Sequence, residues 1–184
     1  MTPAERAYLL DLLESSNKDM LASIQGLSEA QWKFKPSPTA GSVAECAEHI
    51  ILAEDYIFGS SQQVLKTPAA ARLPNATGEA DRQFVARIKD RSKKATAPEL
   101  ITPSGKIATP ADAVREFTAR RDKTIAYVES TNEDLRVHSG DGPAGKMDGY
   151  QILLLLASHS SRHTARILEV KASAGFPKMS AAAR

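Results

Sequence analysis

The sequence predicts an all-α protein built as a four-helix bundle, with a long crossover connection and one short extra helix. Three observations predict it. Four long stretches repeat apolar residues at helical spacing, each opens on a capping signal, and most prolines and glycines fall between them. At ~1.5 Å per residue, helices of roughly 20 residues are each about 30 Å long, matched lengths that suit packing side by side.

Thr2-Pro3-Ala4-Glu5 is a capping box with proline at the first helical position. Leu9, Leu12, Leu13, Met20 and Ile24 follow at helical spacing, and Gly26 is the expected stop. A short turn is expected over 28–32, where Ser28 and Gln31 complete a second capping box. Residues 33–41, with Pro36, Pro38 and Gly41, read as a loop. Ser42-Val43-Ala44-Glu45 opens the second long helix, whose apolar face is Val43, Cys46, Ile50, Ala53 and Ile57. Gly59-Ser60-Ser61 weakens it, and Thr67-Pro68 is expected to end it.

Residues 66–80, rich in Ala, Pro and Gly, read as a connection. A shorter helix is expected over about 79–94, with Phe84, Val85 and Ile88 facing inward. A further loop holds Pro98, Pro103 and Gly105. Thr109-Pro110-Ala111-Asp112 starts the third long helix, along which Val114, Phe117, Arg121, Ile125 and Val128 recur at near-heptad spacing. A loop with Gly140, Gly142, Pro143 and Gly145 leads to Asp148, which caps the fourth long helix with Gln151 three positions on. Gly175 is its expected stop. No strand is expected. The 66–109 connection is long enough for a crossover, so the helices need not alternate strictly up and down. The expected organisation is one domain over 1–176 and a mobile tail over 177–184.

Lys and Arg number 24 against 22 Asp and Glu, a net charge of +2, which argues against an electrostatically driven nucleic-acid or membrane-surface binder. The charge runs at 91–94 and 120–121 are short and read as solvated helix surface. The longest unbroken apolar run, Ile152 to Ala157, is far too short to span a bilayer. The N-terminal stretch carries charges where an export signal needs an apolar core. A single cysteine, Cys46, makes no intrachain disulfide and excludes a zinc ribbon. The expectation is a cytoplasmic protein with no nucleic-acid or membrane partner.

The histidines carry the chemistry. His159-Ser160-Ser161-Arg162-His163 sets two imidazoles one helical turn apart, a spacing that can chelate one ion. At ~100° per residue, Ile152, Leu155, Leu156 and Val170 fall within about 60° of the His159 direction, which places the pair on the stripe expected to be buried. Buried imidazoles need partners, so the pair reads either as hydrogen-bonded core residues or as metal ligands. His49, at the edge of the inward face of the second long helix, can bring a third imidazole and leave an open coordination position. His138, in a glycine-rich loop, is not expected to be a ligand. Other motifs fail on spacing. Ser160 stands where HExxH places its glutamate, and Cys46 and Leu156 stand where the di-iron Glu-x-x-His motif needs one. Glycine fingerprints for phosphate or dinucleotide are missing, as is a GxSxG elbow.

Four segments in order, LSEAQWKFKP, SVAECAEHI, RDKTIAYVESTNEDLRVH and DGYQILLLLASHSSRHTARILEVKA, resemble the DinB/YfiT-like superfamily of metalloenzymes. The resemblance spans most of the chain. It implies a four-helix bundle in which His49, His159 and His163 form the family's metal-binding triad. It also implies one divalent ion such as zinc or nickel per chain, and a homodimer. Two positions depart from the family's pattern: Gly41 where a tryptophan usually precedes the Ser-Val-Ala-Glu stretch, and Arg166 where a glutamine often follows the second histidine. Arg166 lies near the histidine stripe, either to read an anionic group on a substrate or to snorkel outward.

A three-histidine ion with an open position can activate water or a thiolate. The first gives a hydrolase. The second gives an S-transferase dependent on a low-molecular-weight thiol, a chemistry the family resemblance implies. Either acts on a small-molecule substrate. Glu45 is the best-placed carboxylate for accepting a proton, although the capping box with Ser42 claims it first. The other class of function is a non-catalytic bundle that binds a metal or small ligand in a stress-related role.

Overall fold

A computed structural model describes residues 1–92 and 98–178 of the chain. Its elements are α1 (Pro3–Ile24), α2 (Glu29–Lys33), α3 (Val43–Val64), α4 (Gly78–Lys89), a 3-10 turn (Glu99–Ile101), α5 (Pro110–Ser130), the strands β1 (Ser139–Gly142) and β2 (Gly145–Asp148), and α6 (Gly149–Ala172). Each long helix begins at the residue the sequence marks. Thr2, Ser42 and Asp148 close reciprocal capping boxes with Glu5, Glu45 and Gln151, and Thr109 caps α5 through the Asp112 amide.

The four long helices stand at the corners of a square. α1 and α3 each pack against both α5 and α6. Arg6 donates to the carbonyls of Glu129 (2.9 Å) and Thr131 (2.7 Å), so α1 starts where α5 ends. Tyr150 donates to Glu5 O and Lys171 to Ser23 O, so α1 and α6 run parallel. Leu65 abuts Gly149 while His49 abuts His159 and His163, so α3 and α6 are antiparallel. The order is therefore up, down, down, up. Two consecutive long helices pointing the same way oblige the chain to travel back along the bundle, and residues 65–109 are that crossover. Within it α4 packs on α6 and the 3-10 turn packs on α3.

Two apolar clusters fill the bundle. One gathers Leu9, Leu13, Ile57, Val128 and Leu153; the other gathers Met20, Ile24, Trp32, Ile50, Phe117 and Ile167. A polar layer separates them. Arg121, on the stripe of α5 where the sequence shows it, is completely buried and pairs with Glu54 at 2.6 Å, which corrects the reading of the 120–121 charge run as solvated surface. Its guanidinium also reaches Leu13 O and Ser160 Oγ. The inward positions of α5 are Ala113, Phe117, Arg121, Thr124 and Val128; Val114 and Ile125 are half-buried at the edges. A second buried guanidinium, Arg136, pairs with Asp81, Asp148 and Glu5 and stacks on the Tyr150 ring at 4.0 Å. It ties α1, α4 and the start of α6 together.

Several expectations need correction. Residues 139–148 form an antiparallel hairpin, with Ser139 opposite Asp148 and Gly142 opposite Gly145. Glycine-rich strands carry almost no β-propensity, which hides them in the sequence. Here the turn at Pro143-Ala144, with Gly145 at φ 93°, and the burial of Met147 hold the pairing. The hairpin delivers Asp148 to the start of α6. The second long helix runs through Gly59-Ser60-Ser61 and stops at Val64, before Thr67-Pro68. α4 stops at Lys89, at an extended Asp90 cap, short of the expected 79–94 span, of which 93–94 lie outside the described residues. α6 stops at Ala172, and Gly175 follows at φ 83°. Most of the expected tail, residues 179–184, lies outside the described residues; Pro177 O accepts a hydrogen bond from Gln31 Nε2 at 2.9 Å.

Candidate metal centre

The capping box at Ser42 fixes where α3 begins, and that places His49 in its second turn with 8% of its surface exposed. The cap at Asp148 sets the register of α6 and so places His159 and His163 one turn apart. The two are half-buried. The fully buried line of α6 runs through Leu156, Ser160, Thr164 and Ile167, and the histidines flank it on the side facing α3. The antiparallel packing of α3 on α6 then brings all three imidazoles together. Among the described residues, one ligand atom from each lies within 4.8 Å of the others. The ring centroids are 4.3–5.0 Å apart.

Proton positions follow from the surroundings. The Ile101 carbonyl lies 2.8 Å from His49 Nδ1. A carbonyl only accepts, so Nδ1 carries the proton and Nε2 of the neutral ring is a bare lone pair. That Nε2 is 3.2 Å from His159 Nε2. Burial lowers the pKa of His49, against the hydrogen bond to Ile101. Burial, then the neighbouring His163, His49 and Arg162, push His159 well below 6.5. Burial, His49 and the guanidiniums of Arg162, Arg91 and Arg166 push His163 down to about 3. The cluster is therefore three neutral imidazoles, the form that ligates metal. His159 Nδ1 is buried with no hydrogen-bond partner among the described residues.

These residues fit a divalent ion. Two nitrogens, each about 2.0–2.1 Å from a tetrahedral ion, stand about 3.3 Å apart, and the His49–His159 separation is 3.2 Å. A His49 ring held by a backbone carbonyl at one nitrogen and free at the other is the usual outer support of a metal-bound imidazole.

The other candidate residues lie elsewhere. Glu45 is taken by the Ser42 backbone N–H (2.8 Å) and Lys35 Nζ (2.6 Å); although burial works the other way, these partners hold its pKa below the ordinary value. His138 Nδ1 donates to Thr67 O at 2.8 Å, away from the cluster. Arg166 is half-exposed and pairs loosely with Glu169 at 3.4 Å. Cys46 is buried, and burial raises its thiol pKa to about 11. Sequence reasoning missed Glu48 and the Ile101 carbonyl. The available signal for Glu48 was its place beside His49 on an inward face, where a carboxylate must find donors.

Fold and site together define a class: four-helix bundles with a three-histidine cluster between two of their helices. The DinB superfamily model matches residues 12–167, and the chain belongs to that superfamily. Among solved structures, the chain is similar to YfiT from Bacillus subtilis, a probable metal-dependent hydrolase with an unusual four-helix bundle topology. The TM-score is 0.63 at 13% identity, covering 94% of this chain and 89% of that one, and the likeness is one of fold. No curated protein matches in sequence. No helix among the described residues is long and apolar enough to cross a membrane.

Proposed function

We propose that this chain is a metal-dependent enzyme of the cytoplasm in which His49, His159 and His163 hold one divalent ion, zinc or nickel. Its reaction on a small-molecule substrate is a hydrolysis or an S-transfer from a low-molecular-weight thiol. The observation that carries the reading is the convergence of three neutral imidazoles, with the proton of His49 held on Nδ1 by the bond to Ile101 O so that Nε2 is a free lone pair. A bound ion would supply Lewis acidity toward water or a thiol in an open position. Arg91 and Arg166 lie near enough to His163 to lower its pKa; both share the one carboxylate of Glu169, and Arg91 Nη1 is buried with no hydrogen-bond partner among the described residues. A substrate bearing an anionic group suits that surrounding charge.

One observation favours a second reading, a non-catalytic binding protein. The three glutamates of α3 nearest His49 are all engaged: Glu45 with Lys35 and Ser42, Glu48 with residues 104–106, Glu54 with Arg121. None is placed to take a proton from a reacting group, a need more pressing for water than for a thiol. Metal analysis of the purified protein, followed by ester, amide and thiol-plus-electrophile panels, tests both readings. Turnover abolished by chelation supports the enzyme; a stoichiometric ion with no turnover across the panels supports the binding protein. The homodimer implied by the family resemblance is part of the proposal, and light scattering at micromolar concentration checks it.

A further inference from the structure

Glu48 neighbours His49 on α3, yet its carboxylate does not join the imidazoles. It is 3% exposed. Oε1 accepts from the Ser104 amide (3.0 Å), the Ser104 hydroxyl (3.0 Å) and the Lys106 amide (3.2 Å), and Oε2 accepts from the Gly105 amide (2.8 Å). Three successive backbone N–H groups closing on one carboxylate form a concave anion-binding turn. Gly105 sits at its apex with φ 80°. A buried carboxylate needs such donors, and the turn in turn has its N–H groups satisfied.

The same segment supports the metal centre. Three residues before Ser104, the Ile101 carbonyl accepts the hydrogen bond from His49 Nδ1–H, and the Ile101 side chain is buried at 4% exposure. Adjacent residues of α3 thus grip both ends of one short stretch, 101–106, at the return of the crossover. We infer that Glu48 is a positioning residue for the candidate metal centre. It anchors the 101–106 segment so that Ile101 O holds the His49 proton on Nδ1 and leaves Nε2 bare toward His159 and His163. With the anchor gone, His49 is free to carry its proton on Nε2, which blocks the ligand position. The consequence for metal binding rests on the proposed function; the consequence for the tautomer does not.

The test measures the His49 tautomer in metal-free protein by nitrogen NMR, and zinc affinity by competition with a chelator. The variants are Glu48→Gln, Gly105→Ala and the two combined. Glutamine keeps the size but sets an amide NH2, itself a donor, against backbone donors. Nothing lies within 4 Å of a Cβ at Gly105, so alanine there disturbs only the backbone at positive φ. Expected is a pure Nδ1–H ring in wild type, a mixture of tautomers in both single variants, and a ten- to hundred-fold loss of zinc affinity. The double variant should lose less than the two singles combined, because both act through one segment. Asp81→Asn, in the remote Arg136 network, should lower stability while leaving tautomer and affinity unchanged. If Glu48→Gln only lowers stability, with His49 still Nδ1–H and zinc affinity intact, the inference is overturned. If Glu48→Gln does not fold, Gly105→Ala decides on the same readouts. If wild type binds neither zinc nor nickel, the proposed function falls and the tautomer alone decides the role of Glu48.

Discussion

His49 donates from Nδ1 to the carbonyl oxygen of Ile101 at 2.8 Å, joining the second turn of α3 to the return of the crossover across 52 positions of sequence. That bond decides which nitrogen of His49 faces the other two imidazoles. It also makes the crossover part of the site. The order of the bundle, with α3 and α5 parallel, is what brings residue 101 back to the start of α3 where His49 lies.

The ligand set is tested by titrating zinc or nickel into metal-free wild type and four single variants. One ion per chain is expected. His49→Ala, His159→Ala and His163→Ala should each cut affinity by roughly a hundred-fold or more, because two remaining nitrogens hold an ion poorly. His138→Ala should leave affinity unchanged, since its Nδ1 serves Thr67 O. Loss of the ion in His138→Ala with retention in His49→Ala would reverse the assignment.

Much of this was legible in the sequence, for identifiable reasons. Helix starts were readable because Thr2, Ser42 and Asp148 pair with residues three positions on, a purely local relation. The His159/His163 pair was readable because helical geometry alone sets it. His49 came from the inward face of another helix. Three features were not readable. The Ile101 carbonyl belongs to the backbone and has no residue signature. The donors to Glu48 lie 56 to 58 positions away and are mostly amides. The hairpin at 139–148 is built from residues that locally favour turns. The half-buried flank that carries His159 and His163 also differs from the buried stripe expected, because apolar neighbours at the N-terminal end of α6 do not fix how deeply its middle sits.

Stability of the metal-free protein should fall with pH earlier than carboxylates alone would dictate. Burial and neighbouring charge place His163 at about 3 and lower His159 and His49 as well, against about 6.5 in the unfolded chain. Between those values the unfolded state binds more protons, so stability rises with pH. The contribution is complete above about 6.5 and is lost as pH falls through the window toward 3. Urea unfolding between pH 7.5 and 5 in the presence of chelator measures it, and His163→Gln should flatten the slope. An unchanged slope in that variant would show that His163 titrates normally in the fold.

Cys46 should be almost inert in the native protein. Burial, only partly offset by Arg166, raises its pKa to about 11. At pH 8 the thiolate fraction is then about one in a thousand, and the thiolate is the nucleophile. Iodoacetamide followed by mass spectrometry should show alkylation that is slow in native protein, fast in urea, and accelerated as pH approaches 11. Rapid native labelling at pH 8 would mean an accessible or activated thiol.

The Arg121–Glu54 pair should be costly to break and cheap to replace. Arg121 is fully buried; its Nη2 meets Glu54 Oε1 at 2.6 Å and its Nε meets Oε2 at 3.0 Å. Nη1 donates to Leu13 O, and the guanidinium lies 5.1 Å from the centre of the Phe117 ring. Glu54→Ala strands this cation between two apolar clusters, and breaking a buried pair in this way costs about 3–5 kcal/mol. Glu54→Gln retains one acceptor and should cost less. Arg121→Met combined with Glu54→Leu removes both desolvated charges and fills similar volume, so most of the loss should be recovered. Denaturant unfolding of the three variants, read as midpoint shifts at constant m, measures this. A Glu54→Ala cost below about 1 kcal/mol, the range of exposed pairs, would show that water reaches Arg121 and that the polar layer is open.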